Sequence, residues 1–186
     1  GDGTKTVWMW VKDAAGNVST GTVSDTIILD TAAPTLSAFT LNNDAPYTNN
    51  TTVSLTADNA SDTGSGLAFF LAKESSTAPG AGDSGWVSWG APHTFTTSTG
   101  DGTKTVWMWV KDAAGNVSTG TVSDTILLDT TKPVINSASG VQNGSNVDLT
   151  IDSFTESGSG VAGLHYGYSS PPGTSAAFTL TSQSSL

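Results

Sequence analysis

The chain has no cysteine and no arginine, and only two of its 186 residues are histidine. Without cysteine, neither a disulfide nor a thiolate metal site can stabilise the fold. Six lysines stand against sixteen acidic residues, which leaves a formal net charge of −10 at pH 7. Nucleic acids and anionic membranes are bound through basic patches, so this charge balance argues against both as partners.

Long hydrophobic runs and catalytic groupings are also missing. No apolar segment approaches the roughly 20 residues of a membrane span, which argues against direct membrane insertion, and no signal peptide is recognisable. His93 and His165 have no companions spaced as metal ligands or as a catalytic triad, so we do not expect an enzyme. Because the chain begins in mid-pattern without an initiator methionine, we expect it to be part of a longer polypeptide.

What the chain does contain is a near-verbatim repeat with a period of 99 residues. Residues 1–34 and 100–133 differ at three of 34 positions, and these are Ile28/Leu127, Ala32/Thr131 and Ala33/Lys132. A repeat of this length is typical of tandem arrays of small domains. Such arrays act mainly through their reach and stiffness.

Each copy of the repeat predicts an antiparallel β-hairpin. The run Thr105–Lys111 is rich in β-branched and aromatic residues that alternate between two faces. One face carries Val106, Met108 and Val110, and the other carries Trp107 and Trp109. The turn signal Asp112–Asn116 ends this strand.

A second extended stretch, Val117–Leu128, completes the hairpin, and we expect a bulge at Gly120. The same hairpin is expected over Thr6–Leu29. Shorter strand candidates lie between the copies, separated by turns rich in Asn, Gly, Ser and Pro: Thr35–Leu41, Thr52–Ala57, Leu67–Lys73, Trp86–Trp89 and His93–Thr97. About seven strands in about 100 residues predict an all-β, immunoglobulin-like (Ig-like) β-sandwich.

The tail, Val134–Leu186, is a diverged copy of the residues that follow Pro34. Three pairs of segments match: Val53–Asp58 with Val147–Asp152, Thr63–Leu67 with Ser157–Val161, and Glu74–Gly80 with Tyr168–Gly173. The tail therefore supplies the early strands of a sandwich, and residues 1–33 supply the last two. We predict three parts: residues 1–33, a complete domain over 34–133, and the first strands of a diverged domain over 134–186. A boundary that leaves two unrelated half-domains is the alternative.

The segment TVWMWVKDAAGNVS…SDTIILDTAAPT resembles the bacterial Ig-like repeats of large surface adhesins and filamentous extracellular proteins. If residues 1–33 are placed after residue 186, so that they complete the domain begun by the tail, the resemblance covers essentially the whole chain. It implies tandem β-sandwich rods at the surface of a bacterial or archaeal cell, with calcium at the domain junctions in several families. It implies a structural role in a stalk or fibre and no catalytic activity.

Acidic residues are placed where a cation could bind. In an Ig-like sandwich the incoming linker, the loop between the second and third strands and the loop between the last two strands share one end. For the complete domain these segments carry Asp30, Asp58, Asp62, Asp112 and Asn116. For the following domain they carry Asp129, Asp152 and Glu156. Asp13 and Asn17 would belong to the same set if residues 1–33 complete that domain. Flexible oxygen-only sites suit calcium, whereas the plainer interpretation is that these acids end strands, cap turns or are solvated.

Paired tryptophans offer a candidate contact surface: Trp107 and Trp109, with Trp8 and Trp10 in the other copy. They either contact glycans or a neighbouring fibre, or pack across strands and shield the sheet.

These patterns favour a structural spacer in an extracellular adhesin or fibre, whose partners are adjacent copies of the same repeat. The short linkers that end in Pro34 and Pro133 would limit bending. Two alternatives remain. One is a filament subunit that polymerises head to tail when residues 1–33 complete the sandwich opened by residues 134–186. The other is a glycan-binding module that uses the tryptophans, and a glycan or host-surface ligand could also be bound elsewhere in the full-length protein.

Overall fold

A computed structural model describes residues 1–144, 146–165 and 177–179. Within these residues the chain is all-β and contains no helix. The strands are β1 Gly3–Met9, β2 Val23–Leu29, β3 Thr40–Leu41, β4 Tyr47–Thr48, β5 Thr52–Thr56, β6 Leu67–Lys73, β7 Val87–Ser88, β8 Thr94–Thr96, β9 Gly102–Asp112, β10 Val122–Leu128, β11 Val134–Asn143, β12 Asn146–Thr155, β13 Gly163–His165 and β14 Ala177–Thr179.

The chain forms two compact units. The first contains residues 1–46, 51–99 and 104–126. It holds the β1–β2 hairpin and two sheets, one with the order β3-β5-β8 and one in which β10, β9, β6 and β7 are successive neighbours. The second unit contains residues 47–50 and 100–103 and the chain from 127 onward. In it β4 pairs in parallel with the last two residues of β10, and β11–β12 and β13–β14 are antiparallel pairs.

The two sheets of the first unit enclose an apolar core, as in a β-sandwich. Val106, Met108 and Val110 all point into this core from β9, so the prediction that they share one face is confirmed. Val53 and Leu55 reach it from β5 in the opposite sheet. Alternation with a period of two puts every second residue of each strand on the core side.

Several strand predictions are confirmed, and one is exact: Leu67–Lys73 is β6. Other candidates are shorter in the structure. In Thr35–Leu41 only Thr40–Leu41 is a strand, and Thr35 makes an isolated bridge to Ser61. In Trp86–Trp89 only the two residues of β7 are a strand. Strand β4 was not predicted, since two residues that border a turn carry no periodicity. The matched tail segment Tyr168–Gly173 lies outside the described residues.

At the predicted bulge, Gly120, the pairing between the two strands of the hairpin is interrupted. Val117 forms an isolated bridge to Lys111, and a bend at Gly120 precedes β10. The Ser118 hydroxyl accepts a hydrogen bond from the Val110 N–H at 3.1 Å, where a continuous ladder would place a backbone carbonyl. The side chain therefore replaces a ladder bond, and the extended stretch is divided in two.

The two copies of the repeat have the same hairpin but different environments. Met108 is completely buried, whereas its counterpart Met9 is 64% exposed. The same contrast holds along the inward face, where the exposed residues of the first copy are Val7, Val11, Val23, Ile27 and Leu29. Strand β1 ends at Met9, but β9 continues to Asp112, because its last residues pair with β6. The first copy thus keeps its internal pairing, and none of the described strands forms an opposing sheet for it.

The tail hairpin β11–β12 also exposes an apolar side chain that is buried at the matching position of the first unit. Leu149 on β12 is 57% exposed, whereas Leu55, the residue that it matches in β5, is 5% exposed. Other large apolar side chains of this hairpin are also exposed to solvent: Val134, Ile135, Val141 and Phe154. Among the residues that the structure describes, this apolar surface has no cover within its own unit.

Equivalent methionines allow a matched test of the core. We expect Met108→Ala to lower the free energy of unfolding by about 2–5 kcal/mol, since it removes a completely buried side chain and leaves a cavity. Met9→Ala removes the same atoms from an exposed site and should change stability by less than about 0.5 kcal/mol in dilute solution. Urea denaturation measures both, and equal losses would contradict the assignment of environments.

Candidate functional site

The site is built on a turn that occurs in both copies of the repeat. After β9, the Asp112 carboxylate accepts hydrogen bonds from the backbone N–H groups of Gly115 at 2.7 Å and Asn116 at 2.8 Å. Gly115 has a φ of 100°, in the left-handed region that glycine adopts without strain. Asp112 is thereby held at the end of the sheet with its side chain buried. In the first copy Asp13 and Asn17 form the same turn.

A second acid comes from the loop before β6. The Asp62 carboxylate accepts hydrogen bonds from the N–H groups of Gly64 at 3.1 Å and Gly66 at 2.7 Å. Gly66 also adopts a positive φ, of 83°. The loop therefore curls around its own aspartate and keeps that carboxylate at the same end of the sandwich as Asp112.

The third acid, Asp30, follows β2 and is only 7% exposed. One of its oxygens accepts a hydrogen bond from the Ser65 N–H at 2.7 Å, and the other accepts one from Ala32 at 3.1 Å. The carboxylate lies directly against Gly64, where a Cβ atom would be 2.3 Å from the nearest Asp30 oxygen. Only a glycine at position 64 permits this approach. Asp30 thus connects the end of the first hairpin to the loop of the sandwich that follows.

These three carboxylates converge. Asp30, Asp62 and Asp112 each offer an oxygen, and the three oxygens lie within 4.8 Å of one another. Oxygens that bind one Ca²⁺ at 2.3–2.6 Å stand at most about 5 Å apart, so the spacing suits a cation of this kind. The backbone N–H groups already described also satisfy the carboxylates without an ion, and they offset part of the mutual repulsion.

Other predicted ligands of this set lie elsewhere or have another role. Asp58 is exposed and is not part of the group. Asn116 turns its amide nitrogen toward the acids, since Nδ2 donates to the Asp30 carbonyl oxygen at 3.1 Å and to Asp112 Oδ2 at 2.7 Å. Asn116 therefore holds the two acids in place and directs no oxygen between them.

The diverged copy repeats the contact made by Asp30. In the second unit Asp129 Oδ2 accepts hydrogen bonds from the Ser159 N–H at 2.6 Å and from its hydroxyl at 2.7 Å. A Cβ atom on Gly158 would be 2.2 Å from this carboxylate, as at Gly64. We call the two contacts, Asp30 with Gly64–Ser65 and Asp129 with Gly158–Ser159, the linker clamps.

Asp129, Asp152 and Glu156 do not form a cluster of three converging carboxylates. Asp152 accepts a hydrogen bond from the Ser139 hydroxyl, and Glu156 accepts one from the Gly158 N–H. Among the residues that the structure describes, only the set around Asp30 brings three acids together. The shared feature of the two copies is thus the linker clamp, and not a complete acidic cluster.

Hydrogen bonds in the clamps favour the ionised carboxylates. The hydroxyl and the backbone N–H of Ser65 lower the pKa of Asp30 below its ordinary value. The N–H and the hydroxyl of Ser159 lower the pKa of Asp129 in the same way. Both serines follow the loop glycine, and the repeated Gly-Ser pair is the sequence signal that could have identified the clamps.

A further carboxylate, Asp101, joins the two ends of the β9–β10 hairpin. It accepts hydrogen bonds from the N–H of Thr130 at 2.8 Å and from its hydroxyl at 2.7 Å, and another from the Thr131 hydroxyl. The hydroxyls of Thr131 and Thr130 and the Thr130 N–H lower the pKa of Asp101 to about 2. Asp2 and Thr31 make the equivalent contact in the first copy.

The tryptophans differ between the copies in the same way as the core residues. Trp109 is 1% exposed, and Lys73 lies over its ring at 5.1 Å, so this side chain is unavailable to a ligand. Trp107 is partly exposed, while Trp8 and Trp10 are exposed in the first copy. Packing of one tryptophan against its own sheet supports the shielding interpretation for the complete sandwich.

Neither a protein-family model nor a curated protein matches this chain. In the part of the chain that the structure describes, no helix has the length and apolarity needed to cross a bilayer.

Acid titration should reveal the Asp101 contact. Its pKa is lowered in the folded state, so its contribution to stability is complete above the ordinary value of 3.8 and is lost as the pH falls toward about 2. We expect Asp101→Asn to reduce the fall in unfolding free energy over this window. Urea denaturation at several pH values measures the effect, and identical curves for Asp101→Asn and the parent chain would refute it.

Proposed function

We propose that the chain is a spacer repeat in the stalk of an extracellular surface adhesin or fibre. The observation that carries this proposal is the linker clamp, which occurs twice with the same chemistry. In each case an aspartate at the end of a hairpin accepts hydrogen bonds from a Gly-Ser loop that follows it in the chain. A linker held at such a point has little freedom to bend, and stiffness is the property that a stalk requires.

The fold supports the same role. Two sheets around one apolar core, joined by short turns, are compatible with an Ig-like sandwich, and the repeat with a period of 99 residues is compatible with an array of such domains. The resemblance to bacterial Ig-like surface repeats supports an extracellular location. The acidic surface also favours solubility and disfavours contact with nucleic acids and anionic membranes.

The acidic cluster at the clamp extends the proposal to calcium. Asp30 is contributed by the linker, and Asp62 and Asp112 by the sandwich that follows it, so a cation held by all three would tie the linker more firmly. Oxygen-only ligands and two buried carboxylates suit Ca²⁺. The ion would add to a junction that the hydrogen bonds of Asp30 already define.

Stiffness at the clamp can be measured directly, because the chain has no native cysteine. Spin labels at Thr6→Cys on β1 and Thr94→Cys on β8 report the distance between hairpin and sandwich by pulsed electron paramagnetic resonance. We expect a narrow distance distribution in the parent chain. Asp30→Ala, which removes the acceptor, and Gly64→Ala, which displaces it, should both broaden the distribution.

Matched controls separate the clamp from general effects of substitution. Asp25→Ala removes an exposed carboxylate from the same hairpin, and Gly82→Ala adds a methyl group where no atom lies within 4 Å of the new Cβ. Both should leave the distribution narrow. A parent chain as broad as Asp30→Ala would rule out a spacer that depends on this contact.

Calcium binding has its own test. If the site has an affinity in the 10⁻⁴–10⁻³ M range of extracellular modules, 10 mM calcium should stabilise the folded chain by about 1.4–2.7 kcal/mol. Asp62→Asn should abolish the gain, and the exposed Asp58→Asn should retain it. Thermal denaturation and calorimetry measure the effect, and a parent chain that shows neither binding heat nor a change in melting temperature would remove calcium from the proposal.

A further inference from the structure

We infer that the β1–β2 hairpin of one copy completes the sandwich that the tail of a second copy begins. The surface concerned is the inward face of the hairpin, Val7, Met9, Val11, Val23 and Ile27, and its occupant is the segment from Val134 to His165 of the other chain. This inference rests on the proposed role in a linear array, because it names the contact by which one unit of the array meets the next.

The first step is a comparison of identical sequences. Residues 102–126 and 3–27 have the same sequence, and in the second copy this sequence buries Val106, Met108 and Val110 against the strands that precede it. In the first copy the same side chains are exposed. Within the described part of the chain, one sequence with one pattern of alternation therefore has an opposing sheet in the second copy and none in the first.

The second step identifies the occupant. In the complete sandwich the opposing core residues include Val53 and Leu55. The tail repeats this strand as Val147–Asp152, and Leu149, which corresponds to Leu55, is exposed. The hairpin and the tail therefore expose the two complementary halves of a core whose assembled form is present in residues 36–126.

The third step concerns the missing strand pair. β9 continues to Asp112 because Leu67–Lys73 pairs with it, in a register that joins Phe69 to Lys111 and Phe70 to Val110. By the match of Gly66–Leu67 with Gly160–Val161, the tail residues in these positions are Gly163 and Leu164. The expected register across the two copies thus joins Gly163 to Lys12 and Leu164 to Val11. β1 stops at Met9, three residues before Lys12, as expected of a strand without this neighbour.

The linkers favour a second copy over the chain's own tail. The hairpin is joined to the following sandwich through Asp30–Pro34, and the tail is joined through Asp129–Pro133. Each connection is short and begins at a clamped aspartate. Each linker therefore leaves little free chain for folding the tail back onto the hairpin, and residues 34–133 lie between the two in the sequence.

Cysteine cross-linking tests the register. Two full-length variants, Lys12→Cys and Gly163→Cys, are mixed under mild oxidation, and we expect a covalent dimer in several-fold excess over either variant alone. The geometry is calibrated by Phe69→Cys with Lys111→Cys in one chain, which pairs the equivalent positions of the complete sandwich. The matched control is Lys111→Cys mixed with Gly163→Cys, since Lys111 has the same local sequence but already has its partner strand.

A second measurement does not depend on cross-linking. Sedimentation velocity should show association of the parent chain that increases with concentration. Met9→Asp places a charge on the exposed apolar face and should abolish association. Thr4→Asp places the same charge on the opposite face of β1 and should not. Because the distance distribution between hairpin and sandwich is measured in dilute monomer, failure of the array contact and failure of the spacer proposal can be told apart.

Three outcomes would overturn the inference. One is equal dimer yield from the Lys12→Cys and Lys111→Cys mixtures. Another is absence of the dimer when the calibrating pair within one chain forms its disulfide. The third is closure within single molecules of a Lys12→Cys/Gly163→Cys double variant when the mixed single variants stay unlinked, because the chain's own tail would then be the occupant.

Discussion

The alternating apolar face of the hairpin needs an opposing sheet before it can leave water, and most of the structure depends on this requirement. Each buried Val, Ile or Met side chain contributes roughly 1.5–3 kcal/mol. In the second copy of the repeat this contribution is realised, since Val106, Met108, Val110 and Ile126 are all in the core. An isolated two-stranded hairpin is marginally stable at best, and the first copy keeps its pairing while its apolar face is exposed.

The linker clamps are a second feature that both copies of the repeat share. A buried aspartate lies against a glycine and accepts N–H hydrogen bonds from the serine that follows it, once at Asp30 and once at Asp129. The glycine matters as much as the acid, since any Cβ would occupy the position of the carboxylate. Under the proposed spacer role, these contacts stiffen the junctions between successive repeats.

The hairpins, the turn at Asp112–Asn116 and the inward face of β9 follow from alternation and turn chemistry, and all are predictable from the sequence. Asp30, Asp62 and Asp112 converge because their segments share one end of a sandwich, so the position of these three carboxylates was also predictable from the sequence. That Asp58 lies outside this cluster was not predictable, because a shift of one or two residues in a loop decides whether a carboxylate points inward. The burial of Trp109 and the Gly64 contact depend on tertiary packing that no local pattern records.

Amide hydrogen exchange, resolved by residue with nuclear magnetic resonance, tests the central claim most directly. The two copies of the hairpin have the same sequence and hence the same intrinsic exchange rates, so any difference in protection reports their environments. In dilute monomer the account predicts exchange orders of magnitude slower at Val106, Met108 and Val110 than at Val7, Met9 and Val11. It also predicts that the difference shrinks as concentration rises. Equal protection of the two copies in dilute solution would contradict it.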